Sequence, residues 1–432
     1  MKSQELIIYR NMEYRELFDQ VACLLTTQPD EKPETMPSSY ACASQLIELA
    51  VTYGFEGNLW HCFLAFCLAN DENVYSTSCE IKGAVEGSLN ELAAHDFKLI
   101  KELFDYDIRV LDHLSHLDGK GIWTCLADYH AVDGSSKVYN KRIRDQIVAL
   151  AVSLGQADDA EVFGREVTEF YRHFGVGKFG LNKAFRVEEM GNDVSIKPIT
   201  NVEHVYLDDI IGYELQKQKL IENTEAFIEG RAANNVLLFG DSGTGKSSSI
   251  KAILNEYYDK GLRMIEIYKH QFQALSQIQE QVKDRNYKFI IYMDDLSFED
   301  SELEYKYLKA IIEGGLGKKP GNVLIYATSN RRHLIREKFS DKRELDDELH
   351  NNDTVQEKLS LVARFGVTIY YGSPDKKEFQ QIVRELAARY ELNMPLDELY
   401  AKANIWELSH GGLSGRTASQ FIINLLGKDS GE

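Results

Sequence analysis

This sequence lacks apolar runs long enough to cross a membrane, and it lacks C-x-x-C motifs. The longest apolar stretch, Leu59–Ala69, has eleven residues and is interrupted by His61, whereas a transmembrane helix needs about 20. The first ten residues, MKSQELIIYR, contain no apolar segment of signal-peptide length. We therefore expect a cytoplasmic protein that makes no contact with a membrane.

The six cysteines all precede residue 126, and none forms a C-x-x-C pair. A zinc ribbon and a thioredoxin-like redox site are therefore not indicated. His61, Cys62 and Cys67 lie together in an apolar helical run, where cysteine behaves as a small hydrophobic residue. Core packing is the interpretation that this pattern favours over metal binding.

An excess of basic residues is missing: 49 lysines and arginines stand against 68 aspartates and glutamates, and the formal net charge is −19. Such a chain binds nucleic acid poorly without sequence preference, because affinity for phosphates comes largely from lysine and arginine. The N-terminal half has one small basic cluster: Lys137, Lys141, Arg142 and Arg144. It is typical of a solvated helix face, and a nucleic-acid contact is the alternative that stays open.

The length of 432 residues leaves room for about three domains. Residues 1–178 have helical apolar periodicity between turn signals and no recognisable catalytic motif, so they predict an all-helical N-terminal domain. Residues 179–204 contain two short β-like pieces, Ala184–Val187 and Val194–Ile196, which predict a small hairpin or linker.

From residue 205 to 372, apolar strand-like runs alternate with helical segments, which favours an α/β fold. We predict a five-stranded parallel sheet from these runs: Val236–Phe239, Arg263–Ile267, Phe289–Met293, Val323–Ala327 and Val367–Tyr371. Residues 373–432 return to helix and predict a C-terminal helical lid. The charged segment Glu337–Lys358 is interpreted as a surface insertion, or alternatively as a partner-contacting loop.

A phosphate-binding motif follows the first of these strands and precedes a helix. It has the pattern G-x-x-x-x-G-K-S and consists of Gly240, Asp241, Ser242, Gly243, Thr244, Gly245, Lys246 and Ser247, with Ser248 next in the helix. Glycines let backbone N–H groups turn towards phosphates, and the helix N-terminus favours negative charge. The lysine reaches the β- and γ-phosphates, and Ser247 offers an oxygen to Mg²⁺. The motif predicts ATP and Mg²⁺ as cofactors.

Two acids end the apolar strand FIIYM. Parallel strands present their carboxyl ends at one edge of the sheet, so we expect Asp294 and Asp295 to lie beside the phosphate loop. Asp294 is the expected Mg²⁺ ligand, and Asp295 is the expected group that orients the attacking water. No N-K-x-D motif for guanine is present.

Several segments resemble the bacterial AAA+ family called domain of unknown function 815, over about residues 180–432. They are DIIGYE (209–214), NNVLLFG (234–240), MDDLSFE (293–299), YATSNRRH (326–333) and ARFG (363–366). The paired acids also resemble those of replication-initiator and helicase-loader ATPases. The fold that the resemblance implies is an AAA+ P-loop NTPase.

The resemblance implies roles for further residues. Asn330 is similar to sensor 1 and Arg416 to sensor 2. Arg364 is similar to the arginine finger, with Arg331 and Arg332 as competing candidates. The residues that correspond to the family's adenine contacts are Ile211, Gly212 and Tyr213.

The leading hypothesis is a slow ATPase that drives a conformational switch or the remodelling of a client. It would act as a homo-oligomer, with a hexamer expected, and its N-terminal helical domain would bind the unidentified protein client. One alternative is a scaffold that holds ATP with little or no hydrolysis, since Asp295 stands where many such ATPases have glutamate. The other alternative is a P-loop kinase, which would need an acceptor pocket.

Overall fold

A computed structural model describes the chain in residues 2–27, 37–83, 86–117, 119–131, 141–191, 193–298, 304–313, 320–330 and 361–429. The chain divides into two compact units, Met1–Lys183 with Pro198–Asn201 and Ala184–Lys197 with Val202–Glu432. No helix in the described ranges is both long and apolar enough to cross a bilayer. The predicted insertion Glu337–Lys358 lies outside the described residues.

The first unit is built from helices. They are α1 (Arg15–Thr26), α2 (Ser39–Tyr53), α3 (Leu59–Asn70), α4 (Val74–Lys82), α5 (Ser88–Phe104), α6 (Ile122–Ala127), α7 (Lys141–Gly155), α8 (Ala160–Phe174) and α9 (Gly177–Leu181). A two-residue antiparallel pair, β1 (His116–Leu117) and β2 (Lys120–Gly121), precedes α6.

Helix α3 is the centre of this unit, because nearly all of its residues are buried. The ring of Trp60 on this helix stacks on that of Phe63, with centroids 5.6 Å apart. Trp60 Nε1 donates a hydrogen bond to the carbonyl oxygen of Leu103 over 2.9 Å. Burial raises the pKa of the Cys62 thiol to about 12. The cysteines on α3 are thus core residues with unreactive thiols.

The second unit contains a seven-stranded sheet. Its strands are β3 (Ala184–Met190), β4 (Asp193–Pro198), β5 (Val236–Gly240), β6 (Leu262–Glu266), β7 (Lys288–Met293), β8 (Val323–Ser329) and β9 (Val367–Tyr371). Their order across the sheet is β4-β3-β6-β7-β8-β5-β9. The last five strands in this order, β6-β7-β8-β5-β9, are parallel to their neighbours.

The predicted count of five strands is therefore wrong, since the described sheet has seven. The two additional strands are the predicted hairpin, which joins the sheet at its edge. Strand β3 pairs in parallel with β6, with Ala184 opposite Met264 and Phe185 opposite Ile265. This pairing satisfies backbone groups of β6 that would otherwise form an open sheet edge.

The helices of the second unit are α10 (Glu214–Ile228), α11 (Lys246–Tyr257), α12 (Leu275–Val282), α13 (Glu304–Glu313), α14 (Lys376–Arg389), α15 (Leu396–Ser409) and α16 (Gly415–Asp429). Helices α14 to α16, hereafter the C-terminal helices, share a core that includes Phe379, Leu399 and Phe421. Asp375 and Glu378 form a capping box that fixes the start of α14. The chain enters α14 directly from the carboxyl end of β9.

Candidate phosphate-binding site

The loop between β5 and α11 has a backbone shape that requires glycine. Gly240 has φ 138°, and a Cβ there would lie 2.0 Å from the carbonyl oxygen of Tyr371. Gly245 has φ 92° and is the N-cap residue of α11. The loop therefore curls around the first turn of α11, where unpaired N–H groups and the helix dipole favour an anion.

Lys246 lies inside this loop with 6% of its surface exposed. Its Nζ donates to the carbonyl oxygen of Gly240 over 3.0 Å and to that of Asp241 over 2.5 Å. Burial lowers the pKa of Lys246, while the carboxylates of Asp241, Asp295 and Asp294 act in the opposite direction. An anion that enters the loop would meet this ammonium group.

Asp294 follows β7 and faces the first turn of α11. Its Oδ1 accepts hydrogen bonds from Ser247 Oγ over 2.7 Å and from Thr328 Oγ1 over 2.6 Å. Burial raises the pKa of Asp294, but hydrogen bonds led by that from Thr328 outweigh burial, so the pKa lies below its ordinary value. The two predicted metal ligands, Ser247 and Asp294, are thus in direct contact.

This hydroxyl–carboxylate pair has the donor chemistry that Mg²⁺ prefers. Magnesium in phosphate sites takes one or two protein oxygens and fills its other positions with water and phosphate oxygens. In the described ranges no group of three or more His, Cys, Asp or Glu side chains could hold a metal ion by itself. The pair fits a cation shared with a phosphate better than a dedicated metal cage.

Asp295 adopts the left-handed backbone region, with φ 49°, which is uncommon for residues other than glycine but tolerated by aspartate. Its N–H donates to Thr328 Oγ1 over 2.9 Å. Its Oδ1 accepts from Asn330 Nδ2 over 2.8 Å. These bonds hold the strained residue in place, and they bring together the predicted catalytic residues Asp295 and Asn330.

Thr328 has no predicted role from the sequence, yet it connects both acids. It is 2% exposed, donates to Asp294 and accepts from the Asp295 N–H. Its carbonyl oxygen also accepts from the Leu296 N–H over 2.7 Å. A hydroxyl near the polar end of the apolar strand β8 is the signal that could have identified it.

The loop and the acids line one side of a cleft of about 540 Å³. Ile210 and Ile211 line it from the segment before α10, and Ile382 and Leu386 line it from α14. The cleft therefore combines a polar, charged end at the loop with apolar walls further along. Such a combination suits a ligand with an anionic part and a flat apolar part.

Two of the three predicted adenine-contacting residues, Ile211 and Tyr213, line this cleft. Gly212 lines an adjoining pocket instead. The hydroxyl of Tyr213 donates to the carbonyl of Gly372 over 2.9 Å, and burial raises the pKa of Tyr213 to about 12. Tyr213 therefore remains a neutral hydrogen-bond donor at neutral pH.

Arg416 lines the cleft from the first turn of α16. Its backbone N–H donates to the carbonyl oxygen of Gly243 over 3.2 Å. Ser414 Oγ accepts from the Thr417 N–H over 3.1 Å, as a helix-capping side chain does. The C-terminal helices thus touch the phosphate loop directly.

Arg364 is not among the described residues that line the cleft of its own chain. It follows a helical turn at 361–363 and precedes β9, and its N–H donates to the carbonyl of Leu361 over 3.3 Å. The competing candidates Arg331 and Arg332 lie outside the described residues. The assignment of the arginine finger stays a prediction.

A glycine-rich strand–loop–helix, a buried lysine and an acid pair at the carboxyl edge of a parallel sheet define a P-loop α/β domain. Within that class, the chain belongs to the family described as "Protein of unknown function (DUF815)", which matches residues 181–429. The resemblance stated from the sequence is thereby confirmed.

Among solved structures, the chain is similar to RuvB of Thermotoga maritima. Two RuvB variants are each 16% identical over 51% and 50% of this chain, with TM-scores of 0.34 and 0.35. This chain covers 64% and 63% of theirs, just under two thirds. RuvB described as a Holliday junction branch migration motor is 14% identical over 52% of this chain and 73% of its own, with a TM-score of 0.31. A comparison with curated proteins gave no match.

Proposed function

We propose that this chain binds ATP with Mg²⁺ at the phosphate loop and hydrolyses it slowly, as an AAA+ ATPase. The observation that carries the proposal is the convergence of Lys246, Ser247 and Asp294. The ammonium group lies inside the loop, and the Ser247 hydroxyl lies 2.7 Å from the Asp294 carboxylate. These three side chains supply the charge and the oxygen ligands that a triphosphate with its metal needs.

Each residue of the site has a separate task in this proposal. Lys246 attracts the terminal phosphates, and Ser247 with Asp294 would hold Mg²⁺, which when bound neutralises charge on the phosphate oxygens. Asp295 would accept a proton from the attacking water, with Asn330 fixing its carboxylate. Arg416 would contact phosphate from the C-terminal helices. The apolar side chains at the other end of the cleft would enclose the base.

A scaffold that holds ATP with little hydrolysis is the second candidate, and one contact favours it. Asp295 has a shorter side chain than glutamate, and its Oδ1 is already engaged by Asn330. A base held in this way has less freedom to follow a water molecule. Phosphate release above background that is lost in Asp295→Asn supports the ATPase; release at background in both proteins supports the scaffold.

We extend the proposal to a homo-oligomer, with a hexamer as the expected form. The resemblance of Arg364 to the arginine finger of AAA+ proteins supports a role at the nucleotide of a neighbouring copy. The helical first unit, which carries no catalytic motif, would then bind a protein client. Hydrolysis at the interface between copies would change how that client is held.

Substitution of the loop lysine tests the proposal most directly. Lys246→Ala should abolish binding of labelled ATP in the presence of Mg²⁺, because the loop loses its cation. Lys219→Ala is the matched control, since Lys219 is exposed on α10 and lines neither the cleft nor its adjoining pocket. Equal ATP binding by both variants and the unaltered protein would refute the assigned site.

A further inference from the structure

Asp241, the second residue of the phosphate loop, contacts the segment that leads into the C-terminal helices. Its Oδ2 accepts from the Ser373 N–H over 2.7 Å and from Ser373 Oγ over 2.9 Å. Its own N–H donates to the carbonyl of Tyr371 over 2.9 Å. The side chain and the backbone of Asp241 thus both form hydrogen bonds with the chain at the end of β9 and just after it.

The backbone carbonyl of Asp241 faces the opposite way, into the loop. It accepts from Thr244 Oγ1 over 2.8 Å and from Lys246 Nζ over 2.5 Å. The proposed phosphate-binding lysine and the segment before α14 are therefore joined through a single residue. Asp241 is therefore one short connection between Lys246 and Ser373, beside the pairing of Gly240 with Tyr371.

The same segment is held by neutral groups on its other sides. Tyr213 donates to the carbonyl of Gly372 over 2.9 Å, and its ring stacks on that of Tyr371 with centroids 5.1 Å apart. Tyr371 in turn donates to Ser249 Oγ over 3.0 Å. The contact between Asp241 and Ser373 differs from these, because it carries a negative charge.

A carboxylate is an unfavourable neighbour for a triphosphate. Like charges repel, and because Asp241 is exposed, water and salt screen part of that repulsion. Asp241 therefore weakens the ATP binding proposed above, and its two hydrogen bonds to Ser373 show what the carboxylate does instead. A neutral side chain would hold Ser373 less firmly, since hydrogen bonds to a charged acceptor are about twice as strong as neutral ones.

The geometry points to Asp241 as a positioning residue that ties the phosphate loop to the C-terminal helices through Ser373, with the bound triphosphate opposing this tie by charge repulsion. The inference rests on the proposed ATP binding. Because Arg416 on α16 contacts the loop at Gly243, a weaker tie lets the C-terminal helices change their position relative to the phosphates. The charge of Asp241 thus lowers nucleotide affinity, and its hydrogen bonds to Ser373 set the placement of Arg416.

Two substitutions separate the charge from the hydrogen bonds. Asp241→Asn removes the charge and keeps an acceptor oxygen, so ATP should bind about 5-fold to 10-fold tighter at low salt. The gain should be smaller for ADP, which has less charge, and should shrink as salt shortens the screening length to about 3 Å at 1 M. Ser373→Ala keeps the charge and removes one hydrogen bond, so its ATP affinity should stay within about twofold.

Turnover gives the second measurement. Asp241→Ala and Ser373→Ala should both lower kcat, and adding Ser373→Ala to Asp241→Ala should change kcat little further, because the two residues share one contact. Asp193→Asn is the charge control, since Asp193 is exposed on β4. That strand lies five positions from β5 in the sheet, or about 24 Å.

The outcomes separate this inference from the proposed function. If the unaltered protein binds no ATP, the proposed function fails. If it binds ATP and Asp241→Asn binds it equally or more weakly, Asp241 has no opposing role and the inference fails alone. Additive losses of kcat in the double variant would also overturn the tie. Asp241→Asn has nearly the shape of the original residue, so it gives the affinity result even if Asp241→Ala does not fold.

Discussion

Asn330 donates a hydrogen bond from Nδ2 to Oδ1 of Asp295 over 2.8 Å. This contact joins the ends of β7 and β8, which are neighbours in the sheet. It leaves the second carboxylate oxygen of Asp295 as the acceptor for a proton. The base proposed for hydrolysis is thus held in one orientation by a neighbouring side chain.

Asp295→Asn should separate ATP binding from hydrolysis. The amide keeps the size of the side chain but accepts no proton from water, so phosphate release should fall about 10²-fold or more. ATP affinity should change by less than about threefold, because Asp295 holds neither the phosphates nor the metal in the proposal. Phosphate release and equilibrium binding are measured on one preparation, with Asp193→Asn as control. Unchanged release would exclude Asp295 as the base.

Thr328→Val tests how the two acids are held. Valine keeps the branched shape but removes the hydroxyl, which leaves the Asp295 N–H without its partner and Asp294 without one of its donors. The free energy of unfolding in urea should fall by about 1–3 kcal/mol at pH 7. Thr368→Val is the control, because Thr368 is exposed on β9; an equal effect of the two substitutions would contradict the role of Thr328.

The pH dependence of that difference has a defined sign. The lowered pKa of Asp294 means that its carboxylate stabilises the fold above the ordinary value of 3.8, and that this contribution is lost as pH falls through the lowered pKa. Loss of the Thr328 hydrogen bond removes part of it. The gap between Thr328→Val and the unaltered protein should therefore be larger at pH 7 than in acid.

The phosphate loop could be predicted from sequence because its parts are contiguous: strand, glycines, lysine and helix follow one another along the chain. Asp294 and Asn330 could be placed near it because both follow apolar strands of a parallel sheet. The contact of Asp241 with Ser373 spans 132 residues, and no local pattern specifies it. The pairing of β3 with β6 was missed for the same reason, since a short hairpin does not reveal which edge strand it joins.

We predict that the side chain of Lys246 takes up a proton when ATP binds at alkaline pH. Burial lowers its pKa from 10.5, so the ammonium form is complete only below the lowered value and is lost as pH rises through it. A bound triphosphate favours the charged form and raises the pKa again. Calorimetry in two buffers of different ionisation enthalpy should show more uptake near about pH 9.5 than near about pH 7.5. Equal proton uptake at both pH values would contradict this linkage.

Arg364 and Lys246 together provide a test of action between copies. Arg364→Ala should retain ATP binding and lose hydrolysis by about 10³-fold, as loss of an arginine finger does. Lys246→Ala should lose binding altogether. Each variant alone is inactive, but the first has an intact loop and the second has an intact Arg364.

Mixing the two inactive variants should therefore restore phosphate release. In a ring assembled at random from equal amounts, about one interface in four joins an intact loop to an intact arginine, so recovery should approach about a quarter of the original rate. Sedimentation must first show that both variants assemble like the unaltered protein. If assembly is normal and mixing restores nothing, Arg364 acts within its own chain or is not the finger.

The same mixing can be done with Arg331→Ala or Arg332→Ala in place of Arg364→Ala. The variant that lacks the true finger is inactive alone and regains phosphate release when it is mixed with Lys246→Ala, because Lys246→Ala keeps that arginine. The arginine identified in this way is the one that acts on the neighbouring copy.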